Sequence, residues 1–583
     1  MESIRHVLDG LAFVWRASRR SYLSLLVISA LAGLAAAAIP LAAVRLIDGL
    51  TRGLAPQGVA LPLALLAVAI AVERVLGVLR EGHLALLAFD VRAAAERVIV
   101  DTASRVEVEA FEHAKFYDCL ERASRAASLR PTQIADSLLN TVTALAGGIG
   151  TALAVISLEP RMFGVALISF LPVWWIVQRR SAVRLRFIAE ATPTEREAAY
   201  FTSVLTDRDG AKELRLFRAV PFFDGKRMAA LARRQREIRR EVGEVRRVDL
   251  IGLLLAGIAN CLTWGILIVL SMRGLGDPAS LIAFIFAFQR LKGFLTTLSW
   301  GLAEATEAAT LLNDMRLLRE WEPEEAAPAG PLPPLREITL RQVRYTYPHS
   351  ARPALSEVSA TFRRGEFVAV VGANGSGKST LIKILTGLLR AENGELLWNG
   401  APADRASIHR RAGAVFQDSC QFALSVRENV TLGRDGHDLA GLLARLDMTQ
   451  TVDALADGPD TMLGRQFEGG TDLSGGQWQR LMIARGLFDD RAEMIILDEA
   501  SSALDPVAEY ELVRTVKRLC RDKLVVVVSH RLSSIAEADR VIVLDEGRVV
   551  QEGTVRALLD GEGVFADMFN VQARTLGLSR TPR

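Results

Sequence analysis

Cysteine is scarce and scattered. The 583-residue chain has four, Cys119, Cys261, Cys420 and Cys520, and no two stand at C-x-x-C spacing. That argues against a disulfide framework and against a cysteine-ligated zinc site, and the four read as reduced packing residues. Net charge is scarce as well: 70 Lys and Arg against 67 Asp and Glu leave +3, so there is no global electrostatic case for a nucleic-acid partner. A short apolar segment of signal-peptide length is also missing. Roughly twenty mixed polar residues, with Arg5, Arg16, Arg19 and Arg20 among them, come first, and the apolar run that follows is too long for a signal core. The expectation is a retained membrane span with its basic flank in the cytoplasm. Too few residues precede that run, none of them cysteine, for an N-terminal peptidase module, so leader cleavage by this chain is not expected.

What is abundant is apolar surface, and it is segregated. Half the residues are hydrophobic and 23% are charged, with the apolar class concentrated in the first part of the chain. At this length at least two units are expected. Stretches near 22–47, 60–89, 134–157, 161–178, 248–272 and 279–302 are each long enough to cross a bilayer, which predicts a six-span helical domain over 1–320. Connections alternate between very short and very long. Lys and Arg concentrate in the long ones, about 91–133 and 179–247, which places those and both termini in the cytoplasm. The long connections read as helical, so the bundle helices are expected to continue past the lipid bilayer, and a pI near 8.7 suits a chain lying against anionic lipid.

Charge inside a span is costly and is either paired or functional. Glu73 and Arg74 lie mid-span in the second stretch; neighbours in sequence point about 100° apart on a helix, so each is expected to find a partner on another helix. In the sixth stretch Gln289, Lys292, Thr296 and Ser299 recur at spacings of three and four, along one face. These six residues are the candidates for a substrate pathway. Interhelical pairing that only holds the bundle together is the structural alternative.

Residues 321–334, rich in Pro, Ala and Glu, read as a linker, 335–575 as an α/β domain with a largely parallel sheet, and 576–583 as a polar tail. Within the α/β domain the strand at 367–371 runs into GANGSGKST at 372–380 and then an apolar helix. The glycines Gly372, Gly375 and Gly377, with Asn374 and Ser376, let backbone N–H groups curl around phosphate oxygens. Lys378 supplies a cation to the β- and γ-phosphates, and Ser379, followed by Thr380, offers a hydroxyl to Mg²⁺. A second apolar strand ends in Asp498 and Glu499: the first carboxylate can organise Mg²⁺, and the second can orient or deprotonate an attacking water.

Between these elements stands LSGGQ, Leu473, Ser474, Gly475, Gly476 and Gln477, and with it the chain resembles the ATP-binding cassette (ABC) transporters of the exporter type. The resemblance implies that the Ser474 loop and the helix starting around Gln477 close over the γ-phosphate held by a second copy, so that one chain cannot complete its own site. It further implies adenine stacking by Tyr347, with Tyr345 as the weaker candidate, and a Mg²⁺-sensing glutamine at Gln417. His530 would contact the γ-phosphate, Asp505 would link the two sites across the dimer, and Glu468 would touch the loops of the membrane domain.

The cassette keeps every element of the family pattern, so a homodimer with two competent sites is preferred over a heterodimer. Stretches at 111–118 and 212–217 resemble, more weakly, exporters of bacterial peptide and natural-product pathways, including lantibiotic exporters; short helices there are expected to dock near Gln417 and Glu468. The resemblance therefore implies an ATP- and Mg²⁺-dependent translocase of the bacterial plasma membrane that exports a peptide or amphipathic natural product. A lipid or multidrug exporter and a ligand-sensing subunit that does not pump are the alternatives.

Overall fold

The computed structural model of the chain describes residues 2–51, 55–158, 160–272, 278–321, 332–348, 350–500 and 505–568. The expected linker lies mostly outside them, as does the expected tail at 576–583. The chain forms two compact units: Met1–Val106 with Lys115–Glu322, and Glu107–Ala114 with Pro323–Arg583.

The first unit is helical. α1 (Glu2–Ala17) leads into α2 (Arg19–Thr51), α3 (Pro56–Arg105), α4 (Ala114–Leu158), α5 (Pro160–Thr206), α6 (Arg208–Leu216), α7 (Val220–Met272) and α8 (Pro278–Arg319). Each of the six apolar stretches falls inside one of α2, α3, α4, α5, α7 and α8. Among the described residues four segments are long and apolar enough to cross a membrane: Arg19–Leu50, Pro56–Arg105, Ala135–Ile156 and Val220–Ile266. Helix is the form such segments must take, because lipid offers no partner to a backbone N–H or C=O.

The distribution of side chains in this unit is the reverse of a soluble bundle. Val78, Leu86, Leu254 and Ile268 are exposed, whereas Ser29, Ser137, Thr151, Ser169 and Thr263 are buried. That pattern suits a solvent of hydrocarbon. Three of the buried hydroxyls donate along their own helices at 2.8 Å, Thr151 to the Gly147 carbonyl, Ser169 to that of Ala166 and Thr263 to that of Ala259, whereas Ser29 Oγ is buried with no hydrogen-bond partner. Close approach is bought by small residues: a Cβ on Gly33 would come within 2.6 Å of the Thr143 carbonyl, and one on Gly150 within 2.5 Å of the Ala37 methyl, so α2 and α4 cross nearly backbone to backbone.

The second unit is α/β. One sheet, ordered β2-β1-β4-β5, is antiparallel: β1 (Glu337–Tyr345), β2 (Leu355–Arg363), β4 (Asn393–Trp398) and β5 (Ala401–Pro402). The other is ordered β10-β9-β3-β8-β7-β6, with β3 (Phe367–Gly372), β6 (Ala412–Val415), β7 (Met494–Asp498), β8 (Leu524–Val528) and β9 (Arg540–Asp545) parallel and β10 (Arg548–Gly553) antiparallel at the edge. β3, β7 and β8 are buried along their whole length. That is why they read as unbroken aliphatic runs rather than alternating ones.

Residues 107–114 belong to this second unit although their sequence neighbours are helices of the first. They form a short 3-10 turn, Val108–Glu112, in which Glu107 pairs with Arg405 and Glu109 accepts a hydrogen bond from the Tyr345 hydroxyl at 3.2 Å.

Candidate functional site

In an open parallel sheet, chemistry gathers beyond the carboxyl ends of the strands. Here β3, β8, β7 and β6 lie side by side in that order, and the candidate groups follow their carboxyl ends. The loop 372–377 follows β3, Gln417 stands two residues after β6, Asp498 closes β7 with Glu499 next to it, and His530 comes two residues after β8. Register keeps the ends level, with Asp498 opposite Val528 and Leu497 opposite Val415.

The phosphate loop is shaped by its glycines. Gly375 and Gly377 have φ of +80° and +101°, and Gly377 caps the helix Lys378–Leu385. At Gly377 a Cβ would also stand 2.5 Å from the Ala354 carbonyl. Gly377→Ala is therefore expected to cost about 1–3 kcal/mol of backbone strain and to weaken ATP binding, measurable as a lower melting temperature with a smaller nucleotide-induced shift.

Lys378 is buried and donates to the carbonyls of Gly372 and Ala373 at 3.0 and 2.9 Å, so its ammonium is folded back over the loop. Burial pulls its pKa below the usual lysine range, with Glu499 and Asp498 pulling the other way. Asp498, 4% exposed, is pushed up by burial, against the opposing effect of a hydrogen bond from Ser379. Both groups are thus held against their preferred ionisation in a site that an anionic phosphate and a cation would complete.

The residues present suit a nucleotide with a divalent cation. Ser376 Oγ is buried in the loop with no hydrogen-bond partner, the sort of atom a phosphate oxygen would satisfy. Ser379, Gln417 and Asp498 supply oxygen donors with a single carboxylate among them. Among the described residues no cluster of three or more His, Cys, Asp or Glu forms a metal cage. A hard cation that keeps several waters and takes phosphate oxygens matches such a donor set.

Glu499 sits at φ +48°, a left-handed conformation unusual for a residue with a side chain, and its N–H continues the ladder to the Val528 carbonyl at 3.0 Å. Strain of that kind concentrates at functional positions. The His530 ring, more than half exposed, brings Nδ1 to 3.4 Å from the Glu499 carboxylate. The structure therefore brings together Lys378, Ser379, Asp498, Glu499 and His530.

Ser474 caps the helix Gly475–Leu487, and Gln477 returns a bond to the Ser474 N–H, so the helix begins two residues earlier than expected. Ser474 and Gly475 are exposed, Leu473 is buried, and Gly476 and Gln477 are half-buried. Arg485 of the same helix reaches the Cys420 carbonyl at 2.9 Å and Asn429 at 2.7 Å, tying the helix to the segment after Gln417. No sequence signal pointed to that link.

Tyr345 is fully buried, its ring edge-on to Tyr347 with centroids 5.0 Å apart, whereas Tyr347 lies beyond the end of β1 and is partly exposed. Only Tyr347 of the two is open to a base, and its hydroxyl stands 3.3 Å from that of Thr380. Asp505 caps the helix Pro506–Leu519. Gln417 and Glu468 are exposed; the contacts of residues 107–114 with the cassette include those of Glu107 with Arg405 and of Glu109 with Tyr345.

In the helical unit Glu73 pairs with Arg290 of α8, as a mid-span carboxylate requires, and Arg290 lies over the Phe294 ring. Arg74 is exposed and, among the described residues, has no ion-pair partner; adjacent residues on a helix point about 100° apart, so it does not share the Glu73 contact with Arg290. Lys292 donates to Asn260 of α7 at 2.7 Å, Thr296 bonds back to the Lys292 carbonyl, Ser299 is buried and Gln289 is exposed. The spacing of three and four thus gathers residues with different surroundings.

Residues 355–502 match the ABC transporter family. The subtilin transport ATP-binding protein SpaT of Bacillus subtilis is 29% identical over 79% of this chain and 76% of its own length. The cyclolysin secretion/processing ATP-binding protein CyaB of Bordetella pertussis is 33% identical over 56% of this chain and 48% of its own, so the chain spans about half of that relative. A solved structure of a bacterial Atm1-family ABC exporter with ATP bound superposes with a TM-score of 0.81 at 22% identity, over 95% of this chain and 98% of that one, a likeness of fold. With a glycine-rich loop, paired acids and a capped signature helix set on one α/β unit, residues 355–502 form an ATP-binding domain of the ABC transporter type, in a chain that has the fold of a bacterial ABC exporter.

Proposed function

We propose that the chain pairs with a second copy of itself and, in a bacterial plasma membrane, uses ATP and Mg²⁺ to export a peptide or amphipathic natural product. The observation that carries the ATP chemistry is the convergence of Lys378, Ser379, Asp498, Glu499 and His530 at the ends of adjacent strands. The peptide follows from the likeness to SpaT, whose name attaches it to subtilin, over most of the chain.

In this reading Lys378 leaves its two loop carbonyls for the β- and γ-phosphate oxygens, and Tyr347 stacks on the adenine. Ser379, Gln417 and Asp498 would hold Mg²⁺, which would neutralise phosphate charge. Glu499 takes the proton of the attacking water as its oxygen bonds to the γ-phosphorus and the bridging oxygen departs with ADP. His530 hydrogen-bonds the γ-phosphate from the open side of Glu499. Ser474, on a helix N-terminus, serves the γ-phosphate of the partner copy. Asp505 carries the state of one site to the other, and Glu468 faces the membrane-domain loops. Glu73, Arg74, Gln289, Lys292, Thr296 and Ser299 are the proposed polar groups of the pathway, with the N-terminus and cassette in the cytoplasm.

Inverted vesicles loaded with this chain provide the test. ATP-dependent accumulation of a cationic amphipathic peptide that vanishes in Glu499→Gln is the expected result. Accumulation of chemically unrelated hydrophobic compounds instead would move the assignment to a multidrug or lipid exporter, and ligand-stimulated ATPase without accumulation of anything would move it to a sensor.

A further inference from the structure

One buried ion pair in the cassette plays no part in the ATP chemistry set out above. Glu509 is 0% exposed and lies in the first turn of the helix Pro506–Leu519. Its Oε2 accepts from Arg531 Nη1 at 3.0 Å, and its Oε1 accepts from Ser534 Oγ at 2.6 Å; Ser534 is itself 0% exposed. A carboxylate removed from water is tolerated only when its lone pairs are filled, and here both oxygens are.

The donors come from one short stretch. Arg531 directly follows His530, and Ser534 begins four residues after it, with the Arg531 N–H held by Ser529 Oγ at 3.0 Å. On the other side, the helix bearing Glu509 starts at Asp505, whose carboxylate accepts from Val507 and Ala508 N–H at 3.0 Å each. The Glu509 N–H bonds the Asp505 carbonyl at 2.9 Å. Glu509 is thus one helical turn from Asp505 and one ion pair from the residue after His530. An apolar contact at this place would let the two segments slide; a carboxylate with two directional bonds fixes one register between them.

We infer that Glu509 is a positioning residue that locks the Asp505 loop to the His530 loop, so that a displacement imposed on Asp505 by a second copy moves the imidazole relative to Glu499. This rests on the roles proposed above for Asp505 and His530.

The test uses the full-length chain in lipid, with phosphate release and ATP binding measured on the same samples. Glu509→Gln keeps the shape and removes the charge; it is expected to lower kcat about 10–100-fold while the KM for ATP stays within about twofold. Arg531→Gln is expected to do the same, and the double variant to be no worse than either single one. Ser534→Ala removes one hydrogen bond and no charge, so it is the mildest of the three and keeps the test open should a charge-removing variant fail to fold; it is expected to show a smaller kcat loss with the same unchanged KM. If the pair served stability alone, melting temperature would fall while kcat per nucleotide-binding molecule stayed at the wild-type value in all three, and that result overturns the inference. His530→Ala separates the two layers. Normal turnover in that variant removes the role given to His530, whereas lost turnover there with normal turnover in Glu509→Gln and Ser534→Ala removes only the lock.

Discussion

Replacing Glu499 by glutamine is expected to lower the ATPase kcat by about 10²–10⁴-fold with ATP affinity retained. The substitution is nearly isosteric, so the turn at φ +48° and the backbone bond to Val528 survive, and Lys378 keeps its cradle. What disappears is the basic oxygen 3.4 Å from His530. Glutamine can still orient a water and cannot take its proton, which confines the loss to the chemical step. Phosphate release against equilibrium nucleotide binding checks it; a kcat within tenfold of wild type would remove Glu499 from the role of base and leave Asp498, already held in a raised-pKa environment, as the group to examine.

Mixing two dead variants should restore activity. Lys378→Ala removes the cation over the phosphate loop and is expected to cost at least about 10²-fold in turnover; Ser474→Arg fills the signature turn and also destroys a helix cap worth about 1 kcal/mol. Neither homodimer has a working site if each nucleotide lies between Lys378 of one copy and Ser474 of the other. In the mixed dimer one site carries both lesions and the other carries none. Random pairing of the two variants then returns about a quarter of wild-type turnover, since half the dimers are mixed and each has one of two sites intact. A mixture as inactive as its components would place both residues in a single-chain site.

The parts of the site legible in sequence are those whose chemistry is local. A strand feeding a turn that needs positive φ at Gly375 and Gly377, then a helix N-terminus with Lys378 and Ser379, is a backbone requirement written in consecutive residues. The apolar stretches were legible for the same reason, because hydropathy over some twenty residues needs no knowledge of neighbours. Partner choice is not local. That Glu73 would meet Arg290, 217 residues away, or that Arg485 would reach Cys420, depends on which helices and loops pack together. Ser299 shows the same gap from the other side: its spacing put it on a face with Lys292, and packing buried it. Tyr345 and Tyr347 look alike in sequence, and burial of one of them separates their fates.

The turn at Val108–Glu112 sets a timetable for biosynthesis. Glu109 leaves the ribosome 236 residues before the tyrosine that will bond to it, and at roughly 5–20 residues per second that gap lasts about ten to fifty seconds. Through that interval Glu107 and Glu109 have no cassette to receive them. A polypeptide begun at the linker would have the opposite defect, a finished cassette with Tyr345 and Arg405 bared to water. Supplying the 107–114 peptide in trans is then the natural way to ask how much of the cassette's solubility that eight-residue insert provides.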